Sequence, residues 1–304
     1  MRKYLTTAMA IALMSGVSYA DLQNVQIGGE IQIRGNSFYN LSPDGPAEQF
    51  TEQYTAVSVK ADFTDDVTAN ITFDHYGFWG ETSRGQYYED SEQDDIFDYF
   101  GGDDSIQLYE ANIVLEDAFA GVDLKIGRQE VLLGSEFLVG NENTGSFFQR
   151  QSFDGIRADY GADAWNVSIA TLKLVELDAF STNVDNDLDF NFIYGTYTGI
   201  ENHTIDAYFM QLRAGIPSSD NNELKTIGAR AAGNFGNFDY ELEIATQSGD
   251  NGSGTDYDGD ALNLEVGYSF DTNMQPRVFA GYTTFSGSDD EIGFNRLFSD
   301  WQYS

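Results

Sequence analysis

Alternation of apolar and polar side chains with a period of two residues constrains this chain more than any other feature. In residues 25–34, the apolar side chains fall on odd positions and the charged or amide side chains on even positions. This period is typical of a strand with one face in an apolar environment. Twelve further segments repeat it, near residues 53–63, 67–77, 106–116, 122–130, 153–160, 164–173, 188–197, 203–213, 224–233, 238–247, 261–270 and 276–286.

The lengths of the links between these thirteen segments also alternate. Links after odd-numbered strands are long, the longest being residues 78–105. Such sorting of links is typical of a transmembrane antiparallel up-and-down β-barrel, whereas a secreted β-sandwich, the alternative, has no reason for it. We therefore predict an all-β transmembrane barrel. Short links follow the even-numbered strands: Thr64–Asp66, Asp117–Gly121, Gly161–Asp163, Thr198–Asn202, Asn234–Asn237 and Asp271–Gln275.

The first twenty residues resemble a secretory signal peptide. Arg2 and Lys3 supply a positive start, residues 5–17 are mostly apolar, and Ser18 and Ala20 are small residues suited to a cleavage site. We therefore predict a signal peptide over residues 1–20 and a barrel over residues 21–304. An exported chain with no other apolar helix can still span a membrane as a closed barrel.

The C-terminal part predicts an incomplete barrel. Bacterial single-chain barrels have an even number of strands, and thirteen is odd. Residues 286–304, which follow the thirteenth strand, have the composition of an outer loop rather than of a closing strand. We therefore expect that further strands follow in the complete protein.

Residues 107–160 resemble the alginate-export family of outer-membrane porins. The resemblance lies in QLYEANIVL at 107–115, KIGRQE at 125–130, GSEFLVGN at 134–141 and FDGIRADY at 153–160. It implies an 18-stranded barrel in a Gram-negative outer membrane and a channel function. For the family's type member, it implies passage of the polyanion alginate through a basic lumen.

Strand parity predicts a lumen of mixed charge, which differs from that basic type. The predicted function is therefore a porin for small hydrophilic solutes or oligosaccharides. The alternatives are a polyanionic polysaccharide exporter, which would have a secretion-apparatus partner, and a closed structural or adhesive barrel whose acidic loops bind Ca²⁺. The other expected partners are outer-membrane lipid and lipopolysaccharide, with no nucleic acid. The predicted pore-lining residues are Glu30, Arg34, Lys60, Glu110, Lys125, Arg157, Asp206, Arg230, Glu241 and Glu265.

The long link at residues 131–152 is unusually apolar for an outer loop. Either it folds into the lumen as a constriction, or it packs as a cap on the rim of the barrel. Arg128, just before it, has outward parity, although a bulge at Gly127 could turn it inward. The candidate constriction residues are Glu136, Phe137, Asn141, Phe147 and Arg150.

Metal and enzyme chemistry have weak support in the sequence. Asp256, Asp258 and Asp260 resemble part of a calcium loop, but position twelve of an EF-hand would be Gly267 rather than Glu. The two histidines, His75 and His203, are expected at opposite ends of different strands. We predict no catalytic site and no cofactor.

The opposite parity predicts a lipid-facing belt. Its members are apolar residues near the middle of their strands, where lipid contact excludes charge. The predicted belt residues are Ile31, Val57, Val59, Ile71, Phe73, Ile113, Val167, Ile169, Phe209, Leu242, Val266 and Phe279.

Overall fold

The computed structural model describes residues 23–38, 48–79, 106–141, 150–175, 187–216, 219–252, 254–287 and 292–299. It shows thirteen antiparallel strands joined in chain order into one sheet. In the described ranges, no helix is long and apolar enough to cross a membrane. The strands are β1 (Gln23–Phe38), β2 (Glu48–Thr64), β3 (Val67–Phe78), β4 (Gln107–Phe119), β5 (Val122–Gln129), β6 (Phe153–Ala162), β7 (Trp165–Val175), β8 (Leu188–Ile200), β9 (His203–Ile216), β10 (Ser219–Phe235), β11 (Phe238–Asn251), β12 (Asp256–Ser269) and β13 (Arg277–Phe285).

The number of strands and their up-and-down order confirm the sequence prediction. Each strand pairs with the next in the chain, and within the described residues β1 and β13 do not pair with each other. The predicted signal peptide, residues 1–20, lies outside the described residues.

Several strands are longer than predicted at the ends opposite the short turns. β10 begins at Ser219 and β12 at Asp256, each several residues before the apolar alternation starts. As a result, the links β9–β10 and β11–β12 are short, against the expected parity. The reason is that backbone hydrogen bonds continue the ladder beyond the lipid-facing alternation: Asn222 still pairs with Asn251, and Asp256 with Asp250. Alternation marks the part of a strand that faces lipid, not the whole strand.

One face of the sheet is apolar and exposed, and we call it the outer face. Large side chains on this face, such as Ile31, Ile169 and Val266, are about half exposed or more. In a chain that folds in water such a surface would be costly, whereas in a barrel it is the surface that contacts lipid. Eleven of the twelve predicted belt residues have this orientation in the register.

Phe279 is the exception, and its predicted place in the belt is wrong. It pairs with Gly267 on β12, next to the pair Glu265–Gly281, and therefore lies on the inner face. Its ring contacts the guanidinium of Arg277 at 5.1 Å. β13 carries apolar residues on both parities, with Val278 and Tyr282 on the outer face, so the sequence alone could not decide which set faces lipid.

Exposed aromatic side chains follow the short-turn edge of the outer face. Trp165 and Tyr197 contact each other there, with ring centroids 4.5 Å apart, as do Phe238 and Tyr268 at 4.7 Å. Amphipathic or aromatic rings at this level are typical of the boundary between hydrocarbon and headgroups. Other exposed aromatic residues beside these turns are Phe119, Tyr160, Phe235 and Phe270.

Candidate functional site

The chain that follows β5 turns onto the inner face of the sheet. We call residues 131–141 the inner segment. It forms a compact turn, in which the Leu133 and Glu136 amides donate to the carbonyls of Val139 and Leu133. Gly134 has φ +60°, and a Cβ there would lie 2.6 Å from the Tyr194 hydroxyl, so the close approach to β8 requires glycine. The inner segment therefore packs on the inner face of the sheet rather than on its rim.

Three consecutive residues anchor the inner segment by apolar burial. Phe137, Leu138 and Val139 are at most 1% exposed. They pack on inner-face side chains of β6 to β9. The Phe137 ring also stacks on Phe285 of β13, with centroids 5.7 Å apart. The inner-face partners of the inner segment include Phe153, Leu172, Phe190, Phe192, Tyr208 and Met210.

A polar network lies beside this apolar anchor. The Ser135 hydroxyl donates to Glu243 on β11 at 3.3 Å, and the Tyr208 hydroxyl donates to the same carboxylate at 2.8 Å. Arg230 bridges Asp206 at 2.8 Å and Glu241 at 2.9 Å. Asp206 is 2% exposed, so its charge depends on this arginine for compensation. The network joins β9, β10 and β11 and holds the start of the inner segment.

The far end of the same link reaches the first two strands. Arg150 forms an ion pair with Glu30 on β1 at 2.8 Å, and its guanidinium lies 4.2 Å from the centre of the Tyr54 ring on β2. Asn141 donates to Glu130 at 2.8 Å. One link therefore contacts β1 and β2 at one end and β11 and β13 at the other, so the sheet curves around it.

A second segment, residues 292–299 after β13, also turns inward. Phe298 exchanges backbone hydrogen bonds with Leu138 and Gly140, at 2.9 and 2.8 Å. Its ring packs edge-on against Phe153 and Phe190. Sequence reasoning missed this contact, because an isolated bridge between two distant loops leaves no periodic pattern.

All ten predicted pore-lining residues lie on the inner face in the strand register. Most of the basic ones contact an acid: Arg34 with Glu52 at 2.6 Å, Lys125 with Glu110 at 3.3 Å, and Arg157 with Asp159 at 2.7 Å. Lys60 is exposed and stands apart from these pairs. Of the candidate constriction residues, Phe147 lies outside the described residues.

Two inner-face charged residues, Glu52 and Arg277, are missing from the predicted set. Glu52, fully buried, accepts hydrogen bonds from Asn36 at 2.5 Å and from Tyr76 at 3.1 Å, besides its pair with Arg34. Arg277 forms ion pairs with Asp239 and with Glu265. Strand parity would have placed Glu52 inward if β2 had been extended to its true start.

Arg128 lies on the outer face, as its parity indicated. It forms a bidentate pair with Asp154 on the neighbouring strand, with distances of 2.8 and 2.6 Å. Gly127 has φ +120°, but the register continues without a shift from Ile126–Ile156 to Arg128–Asp154, so the alternation is not reversed. This ion pair lies at the ends of β5 and β6 that are opposite the short turns. Such a position is compatible with the headgroup level of a membrane.

The candidate metal and histidine positions are not brought together. Asp256, Asp258 and Asp260 occupy alternate positions of β12, and the described residues contain no group of three or more acidic or histidine side chains arranged around one point. His75 lies on β3 and His203 at the start of β9, where its ring contacts Tyr240. Most of the acidic link 78–105 lies outside the described residues.

The sequence model of a family described as alginate export matches residues 25–300. This chain belongs to the alginate export family. It is therefore an outer-membrane protein of the Gram-negative type, with the fold of a porin channel. No curated protein matches the sequence closely enough to add a function.

Solved porin structures share the fold of this family member. OpdO of Pseudomonas aeruginosa is similar with a TM-score of 0.60 and 15% identity, over 94% of this chain and 72% of that one. OccK11 (OpdR) of the same organism has a TM-score of 0.55 and 11% identity, over 92% and 71%. OccAB1 of Acinetobacter baumannii has a TM-score of 0.55 and 11% identity, over 90% and 68%. At such identities the likeness shows the fold alone.

Proposed function

We propose that this protein is a passive channel for small hydrophilic solutes, including short oligosaccharides. The observation that carries the proposal is the inner segment, which lies across the inner face. Porin lumens are polar and narrowed by inward loops or side chains, and solutes pass down their gradient through what remains. The polar wall beside the inner segment supplies hydrogen-bond partners for such solutes.

The charges of the inner wall favour small neutral or dipolar solutes over long polyanions. Arg34, Arg157 and Arg230 each contact at least one carboxylate within 3 Å. A paired arginine attracts an anion less than an isolated one does, because the neighbouring acid cancels much of its field. Opposite charges across the wall produce a transverse field that orients polar solutes.

Polyanion export is the second candidate, and the description of the family favours it. In that case the anion would have to displace the carboxylates from their arginines, or follow another part of the wall. A secretion apparatus in the periplasm would then be the expected partner. The two candidates differ in the solute that should block the open channel.

Planar-bilayer conductance of the full-length protein, purified from its native membrane, tests the proposal. We expect stable open-channel current under a salt gradient, with weak ion selectivity and brief block by neutral oligosaccharides. Strong block by oligouronates at much lower concentration would instead support polyanion export. A protein that inserts but carries no current would overturn both and support a closed structural barrel.

A further inference from the structure

A cavity of about 600 Å³ lies between the inner segment and the inner face of the sheet, on the side of the short turns. Its ceiling is formed by Leu132, Leu133 and Gly134 of the inner segment. Its wall is the inner face of β5 to β8, and this volume lies in the range of small-molecule sites. The polar side chains that line the wall are Asp123, Lys125, Arg157, Asp159, Asn166, Ser168 and Thr196.

The charged residues of this wall form two rows of like charge. Lys125 on β5 pairs directly with Arg157 on β6, and two residues closer to the turns Asp123 pairs with Asp159. We call these the basic row and the acidic row. Two residues of a strand span about 7 Å, which is therefore the separation of the rows along the backbone, although the long Arg157 side chain reaches Asp159.

Like charges placed directly opposite in a sheet destabilise it, whereas opposite charges at the same sites would stabilise it. The wall contains two acids and two bases that could have formed two cross-strand ion pairs. The sequence places them in the less stable arrangement. Departures of this kind from local stability are expected where a site serves a ligand.

Neighbouring groups offset part of this cost but leave bonding capacity. Lys125 contacts Glu110 at 3.3 Å, and Arg157 donates to Asp159 at 2.7 Å through Nε. In the described ranges, Arg157 makes no other hydrogen bond to the protein, so its two terminal nitrogens remain for a ligand. Tyr194 also lines the cavity.

We infer that this cavity is a weak binding site for zwitterionic solutes, which carry one ammonium and one carboxylate group. The carboxylate would contact the basic row and the ammonium the acidic row. A simple anion would contact the basic row but leave its uncharged end beside Asp123 and Asp159. A simple cation would contact the acidic row but leave its uncharged end beside the basic row. The inference rests on the proposed channel function, since the solute must enter through the lumen.

Isothermal titration of the detergent-purified full-length protein tests the site without requiring current. The probe is 6-aminohexanoate, whose charges span the row separation when its chain is extended. The matched controls are hexanoate and hexylammonium, each with one of the two charges. We expect the zwitterion to bind at least about tenfold more tightly than either control ion. Equal binding of either control would overturn the inference.

Two double variants rearrange the rows at constant net charge. Asp123→Lys/Lys125→Asp changes β5, and Arg157→Asp/Asp159→Arg changes β6; each converts both rows into cross-strand pairs of opposite charge. The first variant removes the acceptor of the Asp117 amide, and the second removes the acceptor of the Ser168 hydroxyl. Because these side effects differ, a loss of zwitterion binding in both variants reflects the order of the charges. The first also replaces the contact of Lys125 with Glu110 by a contact of two acids, so its stability is measured beside its binding. We expect each to weaken zwitterion binding about tenfold.

The control variant is Glu223→Lys/Lys225→Glu, which reverses an ion pair of 2.6 Å away from the cavity. It should bind the zwitterion as the unchanged protein does. If both cavity variants bind it equally well too, the site is not there. Bilayer current separates this result from failure of the channel proposal: current without selective zwitterion binding overturns only the site, and selective binding without current overturns only the channel.

Discussion

The two ends of the link between β5 and β6 attach to the inner wall by different forces. At one end, Phe137, Leu138 and Val139 are buried among aromatic and aliphatic side chains of β6 to β9. At the other, Arg150 contacts Glu30 through one ion pair and Tyr54 through a cation–π contact. Apolar burial changes little with salt, whereas a partly exposed ion pair weakens as salt screens it.

This difference assigns separate roles to the two ends. The apolar end fixes how far the inner segment projects over the wall, and hence the shape of the cavity below it. The ionic end sets how firmly Arg150 is attached to β1 and β2. We therefore expect changes at the first end to alter stability and conductance together, and changes at the second to alter mainly the conductance.

Phe137→Ala should have the largest effect. It removes a fully buried ring that packs on several strands, and such a truncation costs about 3–5 kcal/mol. We expect a lower urea midpoint in lipid vesicles and a larger, noisier single-channel conductance. Leu132→Ala is the matched control, because Leu132 belongs to the same segment but is 43% exposed. Equal losses in the two variants would contradict the apolar anchor.

Arg230→Met tests the polar part of the same anchor. Without the guanidinium, the carboxylates of Asp206 and Glu241 lose their ion-pair partner in a buried site, at a cost of about 3 kcal/mol. Unfolding in urea measures the loss, and Lys225→Met, at an exposed pair, should lose far less. If the Arg230→Met protein is as stable as the unchanged protein, water solvates the two carboxylates in place of the guanidinium.

Val57→Arg and Val266→Arg test whether the sheet is equally stable near β2 and near β12. Both residues lie on the outer face. Lipid contacts both alike, so each should lose about 2–4 kcal/mol in unfolding from bilayers. Val→Leu at each position is the control. A much larger loss at one of them would show that unequal strand stability, not the attachment of the link, separates the regions.

Arg150→Gln should have the smallest effect on stability. The ion pair with Glu30 is partly exposed and contributes at most about 1 kcal/mol. We expect nearly unchanged unfolding but more frequent current transitions, and the unchanged protein should show the same transitions at about 1 M salt, where charges are screened. A large stability loss would make Arg150 a structural anchor equal to Phe137.

The fold could be predicted from the sequence because almost every strand repeats the same two-residue pattern. The inward turn of residues 131–141 could be named only as one of two alternatives, since Phe137 and Leu138 would be equally apolar on a rim. The contact of Arg150 with Glu30 joins a loop to a strand far away in the sequence, and no local pattern encodes it. Phe279 was misplaced because its strand is apolar on both faces.

The cavity could not be predicted from the sequence, although its charged residues could be assigned to the inner face. Lys125 and Arg157 were assigned to the inner face by parity, yet their direct pairing depends on the register of β5 with β6. Turn geometry fixes register in a hairpin, but β5 and β6 are joined by a long link that sets no register.

The bridge between Phe298 and Leu138 orders the events of assembly in time. Gln247 on β11 holds the same late segment through two hydrogen bonds of 2.7 Å to the backbone of Asn295. Contacts between residues so far apart in the chain form only after the intervening loop has closed, which slows their formation. The inner segment can pack on the apolar side chains of β6 to β9 once these strands are paired. Its backbone hydrogen bonds to Phe298 can form only after β13 has joined the sheet. The contact between the inner segment and residues 292–299 is therefore expected to form after the strands between them have paired.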